Sequence, residues 1–226
     1  MEAAFPPILR EFTLKIIMVS LQNLEEAALQ GEAEAQYQLA LRYAQGQRVE
    51  QNLDKARLWY EKAADQDHAA AQLQLGLLYV HGFGVKRNLE IGCAWMKKSA
   101  DQGNVDAQYN LGVAYLKGRG VEQSNINAAK MFSKAAEQGF AMAEYYLGYL
   151  YLIGSGVDQD FQKAMYLICA AADKGCQEAL QLTENLQAFL LKFYHSQEGS
   201  MLLKDLPPVK TIRKPYKKRT PKPRGE

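Results

Sequence analysis

The chain repeats itself at a fixed interval of 36 residues, and this periodicity constrains its fold more than any other feature. The same string returns in register four times: AQYQLALRYAQGQRV from Ala35, AQLQLGLLYVHGFGV from Ala71, AQYNLGVAYLKGRGV from Ala107 and AEYYLGYLYLIGSGV from Ala143. Ala179 keeps the spacing once more. Periods of roughly 20 to 50 residues are typical of solenoids, in which each unit buries its apolar face only against its neighbours. The periodicity therefore favours an extended binding surface over an enclosed catalytic pocket.

Each repeat predicts two helices joined by a loop that contains glycine. The apolar residues that follow each alanine recur at helical spacing and predict a first helix of roughly 13 residues, called helix A. Helix A stops at a glycine pair, such as Gly82 and Gly84, although Arg48 takes the second place in the first repeat. Side chains suited to cap a second helix, helix B, follow each loop at Asn52, Asn88, Ser124 and Asp160.

Small residues recur inside helix A and predict a close contact between helices. They occupy one register in all four repeats: Ala40, Gly76, Gly112 and Gly148. Glycine costs about 0.5–1 kcal/mol relative to alanine inside a helix, so three such residues at one register indicate that a neighbouring helix needs the space.

The periodicity also predicts the organisation of the chain. We expect an N-terminal segment with a capping helix over residues 1–30, the repeats over 31–178 (about 31–66, 67–102, 103–138 and 139–174), a C-terminal capping helix over 179–196 and a tail over 197–226. The N-terminal apolar patch of about ten residues is too short to span a bilayer, and we interpret it as part of a packed helix. We therefore expect a cytoplasmic protein.

The pattern A-x-x-x-L-G-x-x-Y-x-x-G-x-G-V, followed by a helix cap and K-A-x-x-W-Y-x-K-A-A-x-x-G, resembles the Sel-one-like repeat family. Its repeats are related to the tetratricopeptide repeat. The resemblance covers residues 31–178 and implies an all-α, right-handed α/α superhelical solenoid of four helix-turn-helix repeats with capping helices. It also implies a non-catalytic adaptor or scaffold for a protein or peptide partner.

The resemblance further implies where a partner would bind, because helices of type A line the concave groove of the tetratricopeptide fold. The groove residues expected by this analogy are Gln38, Gln74, Asn110, Tyr146, Tyr149, His81 and Lys117. The amides would hydrogen-bond the backbone of an extended peptide, and the two tyrosines would supply an aromatic anchor. The alternative is that Tyr149, together with Tyr145, simply closes the core.

No catalytic, cofactor or metal site is expected. The three histidines lie too far apart in sequence to suggest a metal motif, and no nucleophile signature occurs. Some cysteine-rich relatives carry one disulfide per repeat and a claimed β-lactamase-like hydrolase activity. The irregular spacing of Cys93, Cys169 and Cys176 gives that alternative no support, and we expect these cysteines to be reduced. The alternative is that Cys169 and Cys176 approach each other around one turn and pair.

The last thirty residues have a different composition from the repeats. Residues 197–226 hold nine Lys or Arg against three Asp or Glu, with five prolines, and this composition predicts a disordered tail. The cationic side chains expected to make its electrostatic contacts are Lys214, Lys217, Lys218, Arg219, Lys222 and Arg224. They suggest a nucleic-acid- or ribosome-associated adaptor as an alternative function, without sequence-specific readout. A solubilising or tethering tail is the interpretation that the composition favours.

Overall fold

The computed structural model describes residues 21–194, and every regular element in this range is a helix. Residues 21–29 form α1, and the later helices are α2 (Ala33–Gln45), α3 (Leu53–Ala64), α4 (Ala69–His81), α5 (Leu89–Asp101), α6 (Val105–Lys117), α7 (Asn125–Glu137), α8 (Ala141–Ile153), α9 (Phe161–Asp173) and α10 (Gln177–Tyr194). The chain divides into two compact units after Leu180, and the four repeats all lie in the first. The predicted all-α repeat fold is confirmed.

Helices α2, α4, α6 and α8 are the A helices, and α3, α5, α7 and α9 are the B helices. Each A helix has 13 residues and ends at a left-handed glycine with φ between 62° and 77°. Each B helix begins at its predicted cap, whose side chain accepts a hydrogen bond from the backbone N–H three residues on, at 2.9–3.2 Å. Such caps stabilise a helix by about 1 kcal/mol each.

The small residues inside the A helices lie where the two helices of a repeat come closest. A Cβ atom added at Gly76 would lie 2.8 Å from the carbonyl oxygen of Gly92, and one at Gly112 would lie 2.7 Å from the Phe132 ring. At Gly148 the nearest atom would be in Ile168, at 2.8 Å. The predicted close helix contact is therefore confirmed.

The second loop glycine packs against the start of helix B in the preceding repeat. A Cβ atom at Gly120 would overlap the Leu89 carbonyl group, and one at Gly156 would overlap that of Asn125. Both glycines have positive φ, and Arg48 adopts the same left-handed conformation with φ 64°. Glycine is thus needed in these two later loops for space as well as for backbone conformation.

A pair of glutamine side chains, which we call the glutamine clasp, connects the two helices of a repeat and bonds to the helix before them. Buried Gln72 donates from Nε2 to the Ala64 carbonyl at 3.1 Å, and its Oε1 accepts from Gln102 Nε2 at 2.8 Å. The first and third repeats make the same contacts through Gln36 with Gln66 and Gln108 with Gln138. In the fourth repeat Glu144 and Lys174 take these places, with Nζ and Oε1 2.6 Å apart.

Candidate functional site

A pocket of about 490 Å³ opens between the second and third repeats, bounded by α4, α5, α6 and their loops. We call it the repeat 2–3 pocket. Its apolar lining consists of Leu77, Val80, Leu89, Cys93, Met96, Val113 and Ala114. Its polar lining consists of His81, Arg87, Asn110 and Arg119, so no lining residue carries a carboxylate. The pocket therefore combines an apolar surface with positive charge and an amide.

Two side chains in the pocket lining are smaller than their counterparts in the neighbouring repeats. Met96 stands where Tyr60 and Phe132 stand one repeat before and after, and both of those aromatic side chains are fully buried. Ala114 stands where the two neighbouring repeats carry leucine. The flexible Met96 and the short Ala114 leave space that larger side chains occupy elsewhere.

The next junction shows how the same space is filled. There the ring of Phe132 stacks on that of Tyr146, with centroids 5.2 Å apart and planes at 14°. Tyr146 holds the position of Asn110, whose amide donates to the Asp106 carbonyl at 2.8 Å in its own helix. At the repeat 2–3 pocket, Met96 and Asn110 thus stand at the two positions that hold this packed aromatic pair one repeat later.

The two arginines of the pocket also depart from the repeat pattern. Gln51, Gln123 and Gln159 occupy the position of Arg87 in the other repeats, and each donates to the carbonyl seven residues earlier at 2.9–3.0 Å. Arg87 keeps this bond through Nε, to the Val80 carbonyl at 3.0 Å. Within the described part of the chain, no carboxylate forms an ion pair with Arg87 or Arg119. Their positive charges are therefore not neutralised by an ion pair in that range.

The cysteine in the pocket lining is structural in character. Cys93 is buried and donates from Sγ to the Arg119 carbonyl at 3.2 Å. Burial raises the pKa of its thiol, which keeps it protonated and a weak nucleophile at neutral pH. Cys93, Cys169 and Cys176 are all free, so the described repeats hold no disulfide between them.

The pocket brings together only two of the predicted groove residues, His81 and Asn110. His81 is exposed and stacks on Phe83 with centroids 5.3 Å apart. Gln38 is exposed, and its side-chain amide donates to the Glu34 carboxylate in the same helix at 2.8 Å. The pKa of the Glu34 carboxyl group is lowered mainly by its hydrogen bond with His68 and further by this bond from Gln38.

The remaining predicted groove residues are distributed along the A helices. Gln74 is half-buried and Lys117 is exposed at the end of α6. Tyr146 is half-buried in the aromatic cluster with Phe132, and Tyr149 is 42% exposed. Partner binding by these residues stays a prediction.

Arg87, Met96, Ala114 and Arg119 were not predicted from the sequence as site residues. The signal that could have identified them is their departure from the residues at the same position in the other repeats.

Other predicted features lie outside the described residues or give no site within them. The six cationic tail residues from Lys214 to Arg224 belong to residues 195–226, which the structure does not describe, as it does not describe residues 1–20. In residues 21–194 no cluster of three His, Cys, Asp or Glu side chains could hold a metal ion. No helix in that range has the length and apolar character needed to cross a membrane.

Helix pairs whose first member ends at a left-handed glycine, and which a polar clasp connects to the preceding helix, define a tetratricopeptide-like helical-repeat protein. The family model of the Sel1 repeat matches residues 33–68, 69–104, 105–140 and 141–176. The chain therefore belongs to the Sel1 repeat family, whose solenoids are in general protein-interaction modules.

Two solved structures illustrate the likeness. A protective antigen of uropathogenic Escherichia coli strains, which displays an SLR fold, is 38% identical with a TM-score of 0.67, covering 69% of this chain and 33% of its own. A Sel1 repeat protein from Oxalobacter formigenes is 32% identical with a TM-score of 0.66, covering 73% of this chain and 65% of its own. The chain thus spans about a third of the length of the first relative and about two thirds of the length of the second. No curated protein matches it at a significant level.

Proposed function

We propose that this protein is a non-catalytic adaptor or scaffold that binds a protein or peptide partner along its A helices. The observation that carries the proposal is the repeat 2–3 pocket, because it places apolar side chains beside two arginines and an amide, which can hold and orient part of a partner. Its volume of about 490 Å³ accommodates an anchoring side chain together with neighbouring atoms of a partner segment, and such anchors supply much of the binding energy at interfaces.

The register of the predicted groove residues supports an extended partner. Gln74 and Asn110 hold equivalent positions one repeat apart, and Gln38 continues the series. Amides at a constant interval suit the repeating donors and acceptors of a peptide backbone, while Tyr149 offers an exposed ring in the fourth repeat. We also propose the cytoplasm as the compartment, since three free cysteines agree with a reducing environment.

Site-directed photo-crosslinking tests the location of the partner. A photoreactive amino acid is placed at Asn110 or Gln74 on the A helices, and at exposed Lys97 on a B helix as the matched control. In native extract, the two A-helix positions should crosslink to the same protein, and Lys97 should give much less product. Equal crosslinking from all three positions, with folding intact by circular dichroism, contradicts the proposal.

Removal of the tail tests the alternative based on nucleic acid. The chain without residues 207–226 should retain the crosslinked partner, because the proposed contacts lie on the repeats. Loss of that product on truncation and on nuclease treatment of the full chain would favour the nucleic-acid-associated adaptor instead.

A further inference from the structure

We infer that the repeat 2–3 pocket recognises an acidic peptide segment in which an apolar side chain lies next to Asp or Glu. This inference rests on the proposed function and names the chemistry of the partner. The apolar side chain enters between α4, α5 and α6, and the neighbouring carboxylates pair with Arg87 and Arg119.

The charges around the pocket select for carboxylate. Arg87 and Arg119 come from the loops of successive repeats, and both line the same opening. Arg87 is held against the Val80 carbonyl through Nε, which restricts its guanidinium before any partner arrives. A guanidinium binds a carboxylate through two parallel hydrogen bonds, and a group already held in place loses less conformational freedom on binding.

The apolar lining selects for a side chain that fills a gap. Buried Met96 and Ala114 stand where the neighbouring repeats place an aromatic ring and a leucine. A side chain from a partner would restore contacts that Phe132 and Tyr146 make with each other at the next junction. Methionine is suited to this role because its flexible thioether adapts to different shapes.

Positive charge in the repeat 2–3 pocket comes from two positions at which the other repeats carry uncharged side chains. At the position of Arg87, the other three repeats have glutamine, and at the position of Arg119 they have Gln47, Phe83 and Ser155. The glutamine suffices for the hydrogen bond that the loop needs, as the other repeats show. The extra charge of Arg87 therefore has no role in the loop itself, and an acidic partner gives it one.

Selection from a random library of N-acetylated, C-amidated dodecapeptides tests the inference on the full-length protein. Enriched peptides should carry an apolar residue adjacent to Asp or Glu, and their affinity should fall as salt increases. Enrichment of neutral or basic peptides overturns the inference. So does binding that appears only when the same peptides carry a free C-terminal carboxylate, because the proposed ligand is an internal segment.

Two double variants test whether the peptides bind in the pocket. Each substituted residue already occurs at the equivalent position of another repeat, so the fold accepts it there. The double variant R87Q/R119S should weaken the best acidic peptide at least tenfold and remove the preference for acidic residues. The double variant M96F/A114L should narrow the apolar part of the pocket and also weaken binding at least tenfold. The control Q159R adds the same charge in the fourth repeat and should leave affinity unchanged.

The outcomes separate this inference from the proposed function. Peptides that bind the unmodified protein, compete with the Asn110 crosslink and show no acidic preference would overturn the inference and leave the adaptor function standing. An unchanged affinity in M96F/A114L, with circular dichroism showing a folded protein, would overturn the pocket as the site. A library that yields no binder, together with equal crosslinking from Asn110 and Lys97, would contradict both.

Discussion

Replacement of one loop glycine by alanine tests how successive repeats are held together. Gly120 and Gly103 both have positive φ, at 73° and 92°, so alanine is strained at either position. Around Gly103 no atom lies within 4 Å of an added Cβ atom. At Gly120 the Cβ atom would overlap the Leu89 carbonyl oxygen and lie 2.5 Å from its carbon. The pair separates the cost of backbone conformation from that of contact between repeats.

The two substitutions should differ in free energy of unfolding by about 2 kcal/mol. A left-handed conformation destabilises an alanine by about 1–2 kcal/mol. Replacement of glycine by alanine also lowers the conformational entropy of the unfolded chain, which stabilises the folded protein by about 0.4–1 kcal/mol. Gly103→Ala should therefore destabilise the protein by about 1 kcal/mol. Gly120→Ala carries the same cost plus about 1–3 kcal/mol, typical of overpacking, because the atoms in its way are backbone.

Urea unfolding followed by circular dichroism measures both free energies. In thermal unfolding, each kcal/mol should lower Tm by roughly 2–4 °C for a chain of this size. Gly156→Ala serves as a second test, since its Cβ atom would overlap the Asn125 carbonyl group, and it should behave like Gly120→Ala. Equal losses of stability for Gly103→Ala and Gly120→Ala would refute the packing of each loop against the preceding helix B.

Three further predictions concern the clasp of the fourth repeat, the predicted groove and the cysteines. The double change E144Q/K174Q installs the glutamine clasp of the other repeats and should stabilise the protein by about 1 kcal/mol in urea unfolding, because the buried Oε2 of Glu144 has no hydrogen-bond partner and a glutamine amide donates at that place in the first three repeats. The double change of Tyr146 and Tyr149 to alanine should weaken binding of the crosslinked partner in a titration, and an unchanged affinity with intact folding would contradict the groove assignment. A thiol reagent at pH 8 should modify exposed Cys169 in the native protein and reach the two buried thiols only after urea unfolding.

The fold could be predicted from the sequence because each structural requirement is repeated. The helix ends, the caps and the close contact at Gly112 follow from residues that return every 36 positions. The glutamine clasp was missed because two amide series share that period. Gln72 and Gln74 are two positions apart, so they point about 200° apart around the helix, and only the structure shows which one is buried.

The pocket could not be predicted from residue types alone. It depends on the volume left between α4, α5 and α6, and that volume is set by side chains from three separate elements. Periodicity identified His81 and Asn110 through the analogy with the tetratricopeptide groove. It gave no reason to connect Arg87 with Arg119, which lie 32 positions apart and come together only because successive loops stack.

The framework of the repeats does not itself require an opening between the second and third units. Neighbouring repeats place Tyr60 or Phe132 at the position of Met96, in B helices of 12 and 13 residues against the 13 of α5. Gly92 even allows α4 and α5 to approach closely, since a Cβ atom there would lie 2.7 Å from Val80. An underfilled apolar site costs stability. At the same place, no carboxylate in the described repeats forms an ion pair with Arg87 or Arg119. A bound acidic segment would compensate for the lost stability through its apolar side chain and would neutralise the two arginines through its carboxylates.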